Sequence, residues 1–348
     1  MTERSGPAGQ TREPVVLGRR VEISGDPQDT YFTSLGGEVD DDVLYLLAKI
    51  VPDDAVVFDV GANIGLHSIA LAQLAPKGFV HAVEPIPRTA GHLEANLRRN
   101  GVTNAEVHRV ALGSAPGELT IYENREFAAG STVIDDSSFV ARTYADRTMT
   151  ESEESQGSFV KVPTTTLDLL GVQRGFDKLD LVKIDAEGHD IEVLRGGIET
   201  IRSMNATALV EFASFALTTQ KRMLPQDALD EIRSMFQRVF VVQRWGSLRE
   251  ITNDTQAWDF LYENATTRAV ADLLCGFADS RLLAGVDALI GPQPAPHIEE
   301  LRARIAELEG ELNREQERTR HLDQEIEALK QTLSWRVTKP LRAVRRRL

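Results

Sequence analysis

The feature that most restricts how this chain can fold is an alternation of short β-branched runs with amphipathic stretches. "AVVFDV" reads as a strand, Leu66 to Leu74 as a helix, "FVHAVEP" as a strand, Thr89 to Asn100 as a helix and "AEVHRVALG" as a strand. The rhythm resumes with "LDLVKIDA" as strand, "DIEVLRGGIETIRSM" as helix, "ATALVEFA" as strand and "PQDALDEIRSMF" as helix, and "RVFVVQRWG" and "WDFLYEN" close it as strands. Strands joined by helices are too far apart in sequence to be hairpins, so they pair in parallel with the helices on both faces. The expectation is a Rossmann-like α/β domain with a doubly wound, mostly parallel sheet of about seven strands.

Around this core the chain divides by composition. Residues 1–35 are rich in Gly, Pro and charge and read as an N-terminal arm with one short strand at "PVVLGRRVEIS". The catalytic-type domain is expected over 36–270, and a helix with the Pro-rich linker "GPQPAPH" over 271–297. An acidic, serine-rich excursion, Thr143 to Ser158, interrupts the strand series; it reads equally as a tolerated insertion and as a lid over a ligand. From 298 to 335, Ile298, Leu301, Ile305, Leu308 and Leu312, then Leu322, Ile326, Leu329 and Leu333, recur in steps of three and four. Ile at a with Leu at d favours a parallel coiled-coil dimer, and a trimer is compatible with the same seam.

Formal net charge is −14, which excludes a nucleic-acid binder that relies on many phosphate contacts. The tail 336–348 breaks that balance: Arg336, Lys339, Arg342, Arg345, Arg346 and Arg347 occur with no acid, interleaved with Val337, Leu341, Val344 and Leu348. Such a segment suits the surface of an anionic membrane or an acidic partner protein. Cys275 is the only cysteine, so an intrachain disulfide and a CxxC site are excluded. With a polar N-terminus and no apolar run of bilayer length, a cytoplasmic protein, peripheral at most on the inner face of the membrane, is expected.

In a doubly wound sheet the ligand lies at the carboxyl ends of the first strands. The turn there is "FDVGANIG", which sets Asp59, Gly61, Asn63 and Gly65 against the ligand. A dinucleotide fingerprint needs glycine where Asn63 stands, because the backbone must approach a diphosphate, and Ser68 replaces the third glycine. A ligand with a ribose and a positive centre but no phosphate fits better, and S-adenosylmethionine has that shape. Glu84, at the end of the second strand, is placed to accept from the two ribose hydroxyls.

"FDVGANIGLHSIALAQ", "VEPIPRTAGHLEANLRRN", "VALGSAPGELTIY", "TTTLDLL" and above all "LVKIDAEGHDIEVLRGG" resemble the FkbM family of S-adenosylmethionine-dependent methyltransferases, in order and spacing, over about residues 36–265. The resemblance implies a class I methyltransferase fold and transfer of a methyl group to oxygen, commonly that of a sugar or macrolide hydroxyl. It also implies cofactor roles for Asp59, Gly61, Asn63, Gly65 and Glu84, with Ala62 in the same turn. Asp190 stands where the family often has Glu. The end "LSWRVTKPLRAVRRRL" resembles the tails that follow coiled coils in bacterial proteins of surface-polysaccharide assembly.

An alcohol is a poor nucleophile, so a base that takes its proton as the new bond forms adds to the rate. "KIDAEGHD" offers Asp185, Glu187 and His189 after the fourth strand, and "VEF" offers Glu211 on the fifth. His189 is the first choice because imidazole titrates near working pH. Asp185 and Glu187 also suit a helix N-terminus without doing chemistry. Asp185, Glu187 and Glu211 together are an oxygen-rich set of the kind that holds Mg²⁺, with no metal required by the sequence. His67, just past the glycine turn, is a reserve candidate.

The expected function is methylation of a sugar hydroxyl on a bacterial surface polysaccharide or glycolipid precursor. The two rivals are methylation of a small natural-product hydroxyl and an inactive scaffold that recruits glycan-assembly enzymes.

Overall fold

The structure, a computed structural model, describes residues 10–127, 130–134, 157–268 and 270–291, together with Arg314 and Arg318. The chain divides into two compact units, Met1–Pro294 and Ala295–Leu348. In the second unit only Arg314 and Arg318 are described, and both are helical. The rest of the coiled-coil segment, the basic tail and the part of the acidic excursion from 143 to 156 lie outside the described residues.

The described part opens with four short strands: β1 (Gln10–Arg12), β2 (Val15–Val16), β3 (Arg19–Arg20) and β4 (Ile23–Gly25). These residues are not the loose arm expected. Val16, Val21, Ile23 and Phe32 are buried against Leu66, Ile69, Leu93 and Leu97 of two later helices. The Asn96 side chain accepts from Ser24 N–H at 2.8 Å and donates to its carbonyl at 2.9 Å. A polar, Gly-rich composition hid four apolar positions that have a surface to cover.

The main sheet is built from β5 (Val56–Val60), β6 (Phe79–Val83) and β7 (Ala105–His108), then β12 (Leu181–Ile184), β13 (Thr207–Ala213), β14 (Arg238–Gln243), β15 (Ser247–Glu250) and β16 (Val270–Gly276). Between them β8 (Ala111–Leu112), β9 (Gly117–Asn124), β10 (Thr132–Ile134) and β11 (Gly157–Thr165) form a separate four-stranded sheet that the sequence reading missed. The main sheet has the order β15-β14-β16-β13-β12-β5-β6-β7. Its four pairings from β13 to β7 are parallel, and β16 runs antiparallel between β13 and β14.

The sheet thus has eight strands and is mixed, where seven mostly parallel strands were expected. "WDFLYEN" belongs to the helix Asp254–Glu263, whose N-terminus is capped by Asn253; Ala257, Phe260 and Leu261 are buried while Trp258 and Tyr262 are exposed. That is a 3.6-residue period, misread because the aromatic content favours strands. The strand missed in its place is "VADLLCG", which also moves the domain end past 270: residues 277–291 hold only two short 3₁₀ turns, not a helix. A short apolar run of this kind has no periodicity to separate strand from helix.

Alternate side chains of each central strand feed the two faces. Phe58, Val60, Val182, Ile184, Val210 and Leu273 pack on one side, and Val57, Leu181, Leu209 and Leu274 on the other. The segment expected as one helix after β12 is two, Asp190–Arg195 and Ile198–Ser203. A Cβ on Gly196 would stand 1.9 Å from the Gly113 carbonyl oxygen, so the chain bends there to let the two backbones meet. Among the described residues no helix is long and apolar enough to cross a membrane.

Candidate active site

The glycine turn leaves β5 with Gly61 at φ +76°, Asn63 at +49° and Gly65 at +98°. Gly65 then caps the helix Leu66–Leu74. A Cβ on Gly61 would lie 1.8 Å from the Asp185 carbonyl oxygen, so only glycine lets the ends of β5 and β12 come together. The Gly61 and Ala62 N–H groups both donate to the Val83 carbonyl at 3.0 Å, which fastens the turn to the end of β6. The Glu84 carboxylate completes the joint, accepting from Asn63 N–H at 3.0 Å and Ile86 N–H at 2.9 Å.

Above this joint is a cleft of about 220 Å³. Gly61, Ala62, Asn63 and Glu84 line one part of it, and Asp185, Glu187, His189 and His67 another. Asn63 lines the cleft, and its Oδ1 is buried with no donor among the described residues, an acceptor left for a ligand donor. Burial pushes the Glu84 carboxyl up to about 7 despite its two backbone N–H bonds. Glycine backbone with no room for a side chain, an unsatisfied acceptor and a carboxylate at a strand end fit a nucleoside with hydroxyl and amino donors.

Asp59 and Gly65 do not line the cleft. Asp59 is fully buried under the turn; Ser68 Oγ donates to its Oδ2 at 2.6 Å, and Lys183 Nζ stands 3.4 Å from its Oδ1. Register explains the pair, since Lys183 on β12 lies directly across from Asp59 on β5. Lys183 Nζ also donates to Asp185 at 3.1 Å. Burial opposes its charge, but Asp185 and Asp59 hold the ammonium well above the usual lysine range. Sequence reasoning passed over Lys183, although a lysine in the otherwise apolar "LVKI" announces a buried counter-charge.

Asp185, Glu187 and Glu211 come together, with carboxylate oxygens all within 4.8 Å of one another. Glu211 is on β13, opposite Asp272 of β16, and does not line the cleft. Burial and then Asp185 raise the Glu187 carboxyl to about 8, the same two causes raise Glu211, and Asp272 reaches about 7. Several acids so close cannot all ionise, so the cluster retains protons near neutral pH. The same three carboxylates are an oxygen-rich set of the kind that can take a divalent cation, and Lys183 already supplies one positive charge to Asp185.

Glu187 is held in place by its own loop. It takes φ +50°, Gly188 takes +85°, and the Asp190 carboxylate accepts from Ala186 N–H at 2.7 Å and Gly188 N–H at 3.0 Å. Thr132 Oγ1 donates to the Glu187 carbonyl at 3.2 Å. His189 also faces the cleft, but its Nδ1 lies 3.1 Å from Lys221 Nζ. An ammonium can only donate, so in this contact Nδ1 accepts from Lys221. His67 Nε2 is 3.1 Å from Asp41, which caps the helix Asp42–Ile50.

Residues 59–243 match the methyltransferase FkbM domain. The hexuronic acid methyltransferase AglP of Haloferax volcanii is 32% identical over 166 residues, 47% of this chain and 59% of its own length. The 2-O-methyltransferase NoeI of Sinorhizobium fredii is 25% identical over 156 residues, 45% of this chain and 63% of its own. Methyltransferase 1 of Beauveria bassiana is 26% identical over 151 residues, 42% of this chain and 59% of its own. The chain thus spans about three fifths of the length of these relatives. Among solved structures, the fibrillarin pre-rRNA processing protein of Methanococcus jannaschii overlaps with a TM-score of 0.37 at 11% identity, over 79% of this chain and 85% of that one. The matched domain takes in more than half of the residues, from Asp59 on β5 to Gln243 at the end of β14, and the chain belongs to the FkbM methyltransferase family.

Proposed function

We propose that this protein is an S-adenosylmethionine-dependent O-methyltransferase whose acceptor is a sugar hydroxyl of a bacterial surface polysaccharide or its glycolipid precursor. The observation that carries the reading is the single cleft that joins the glycine turn and Glu84 to Glu187 and Asp185. Gly61, Ala62, Asn63 and Glu84 would hold the cofactor, which supplies an electrophilic methyl group when bound. The protein's own work is then to align a hydroxyl with that methyl, exclude water and receive the hydroxyl proton. Glu187 is the group we assign to the proton, and Asp185 and His189 are placed to orient the acceptor. The relatives AglP, a hexuronic acid methyltransferase, and NoeI, a 2-O-methyltransferase, support a sugar hydroxyl.

Calorimetry with S-adenosylhomocysteine tests the reading first, because no binding would leave only a scaffold. Methyl transfer to a panel of glycosides and small natural-product alcohols then tests the acceptor, with turnover confined to the latter overturning the sugar assignment. Affinity should follow the charge of Glu84. Its raised pKa means that below about 7 it is protonated and loses acceptor capacity toward ribose hydroxyls. S-adenosylhomocysteine binding should therefore weaken about tenfold from about pH 8 to about pH 6, and Glu84→Gln should bind weakly and flatten the profile. Dialysis against a chelator should leave turnover unchanged, and a loss restored by Mg²⁺ would return the metal to the site.

The reading extends to the second unit as a dimer formed through 298–335 and a cytoplasmic location, with the basic tail against the inner face of the membrane. The heptad seam and the Trp- and Arg-bearing end support it. A chain truncated after Pro292 should run as a monomer and lose binding to anionic liposomes; unchanged pelleting would remove the membrane contact.

A further inference from the structure

The edge of the main sheet carries a second cluster that the methyl-transfer reading does not use. His81 on β6 lies directly across from Glu106 on β7, and His108 follows Glu106 by two residues, so all three side chains leave one face of the sheet. His81 Nδ1 is 3.0 Å from His108 Nε2, and Glu106 Oε2 is 4.0 Å from that same His108 nitrogen. The atoms lie within 4.8 Å of one another, and none of the three residues lines the cleft.

We propose that His81, Glu106 and His108 form a binding site for a divalent transition-metal ion, in the first place Zn²⁺, that ties the edge strand β7 to β6. Two imidazoles and a carboxylate are a donor set that zinc takes readily, with water as a fourth ligand. Donor atoms around a tetrahedral zinc, at about 2.0–2.1 Å from the metal, stand about 3.3 Å apart. The observed 3.0 and 4.0 Å bracket that value, so small side-chain movements suffice.

The surroundings hold the donors in place. The Phe58 ring stacks on His81 at 4.5 Å, and Phe176 and Phe79 close around it at 4.8 and 4.9 Å. Arg174 lies 3.3 Å from Glu106 Oε1, which leaves Oε2 turned to His108. Such outer partners fix ligand orientation. The Glu106 side chain is 43% exposed, which gives an ion a way in. One of the facing nitrogens carries the proton shared between the rings; on metal binding it passes to solvent or to the far nitrogen of the same ring.

The test is Zn²⁺ titration of the full-length protein by calorimetry, with Co²⁺ absorption as a report on geometry and thermal melting with and without metal. We expect a single equivalent to bind, a tetrahedral Co²⁺ spectrum and a melting rise that a chelator reverses and Mg²⁺ does not reproduce. Glu106→Gln, at a partly exposed position, should weaken Zn²⁺ at least about tenfold with the fold intact, and His108→Asn should abolish binding. The absence of Zn²⁺ binding overturns the proposal, as does an affinity unchanged by Glu106→Gln. So does a signal lost in Glu187→Gln but kept in Glu106→Gln, which would place the ion among the cleft carboxylates.

Discussion

Glu187→Gln will lower kcat by about 10²–10⁴-fold while leaving S-adenosylhomocysteine affinity nearly unchanged. The amide keeps the shape of the side chain and removes its ability to take a proton. Glu187 lines the cleft, and burial and Asp185 bring its proton affinity to about 8, near the pH at which a general base is most effective. A base must be ionised to act, so kcat of the unaltered protein at saturating cofactor should rise with pH up to about 8 and level off above it. In Glu187→Gln that rising limb should vanish, which a merely structural role would not produce. His189→Asn should cost far less, because the imidazole Nδ1 already accepts from Lys221. A kcat unchanged in Glu187→Gln with a large loss in His189→Asn would reverse the assignment.

That reversal would restore the choice made from the sequence, and the difference between the two is instructive. Sequence patterns place side chains on elements, and on this count "KIDAEGHD" and "FDVGANIG" were read to the right strand ends. The first two βαβ units were legible because strand and helix alternate there with clear periods. The site itself was legible in part: Gly61, Ala62, Asn63, Glu84, Asp185, Glu187 and His189 meet in one cleft, while Asp59, Gly65 and Glu211 lie behind it. Our preference for Glu187 over His189 as the base rests on a lysine more than 30 residues away in sequence, at 3.1 Å in space. Contacts of that kind depend on tertiary packing and leave no local pattern. The same is true of β16, whose place between β13 and β14 is set by two antiparallel ladders rather than by its own seven residues.

Lys183→Met will destabilise the domain by about 3–5 kcal/mol, the cost of breaking a buried ion pair by removing one partner. Lys183 stands among acids: Asp59 across the ladder, Asp185 two residues on, and Asp272 close enough to support its charge. Without the ammonium, Asp59 keeps only the Ser68 hydroxyl on Oδ2, and its Oδ1 is left buried with neither charge nor donor. Its alternatives are to stay ionised in an apolar layer or to take up a proton, and both cost free energy. For a domain of this size the loss corresponds to a fall in melting temperature of about 10 °C. Pairing Lys183→Met with Asp59→Asn should recover part of it, because the orphaned charge goes with its partner, and the double-mutant cycle isolates the pair from lost packing. A single-variant loss under about 1 kcal/mol, or a double variant no better than the single, would mean that Asp59 does not depend on Lys183. The pair would also fail in its other consequence: Lys183 links the floor of the glycine turn to Asp185, so its removal should weaken S-adenosylhomocysteine binding along with the fold, and Asp59→Asn alone should do the same.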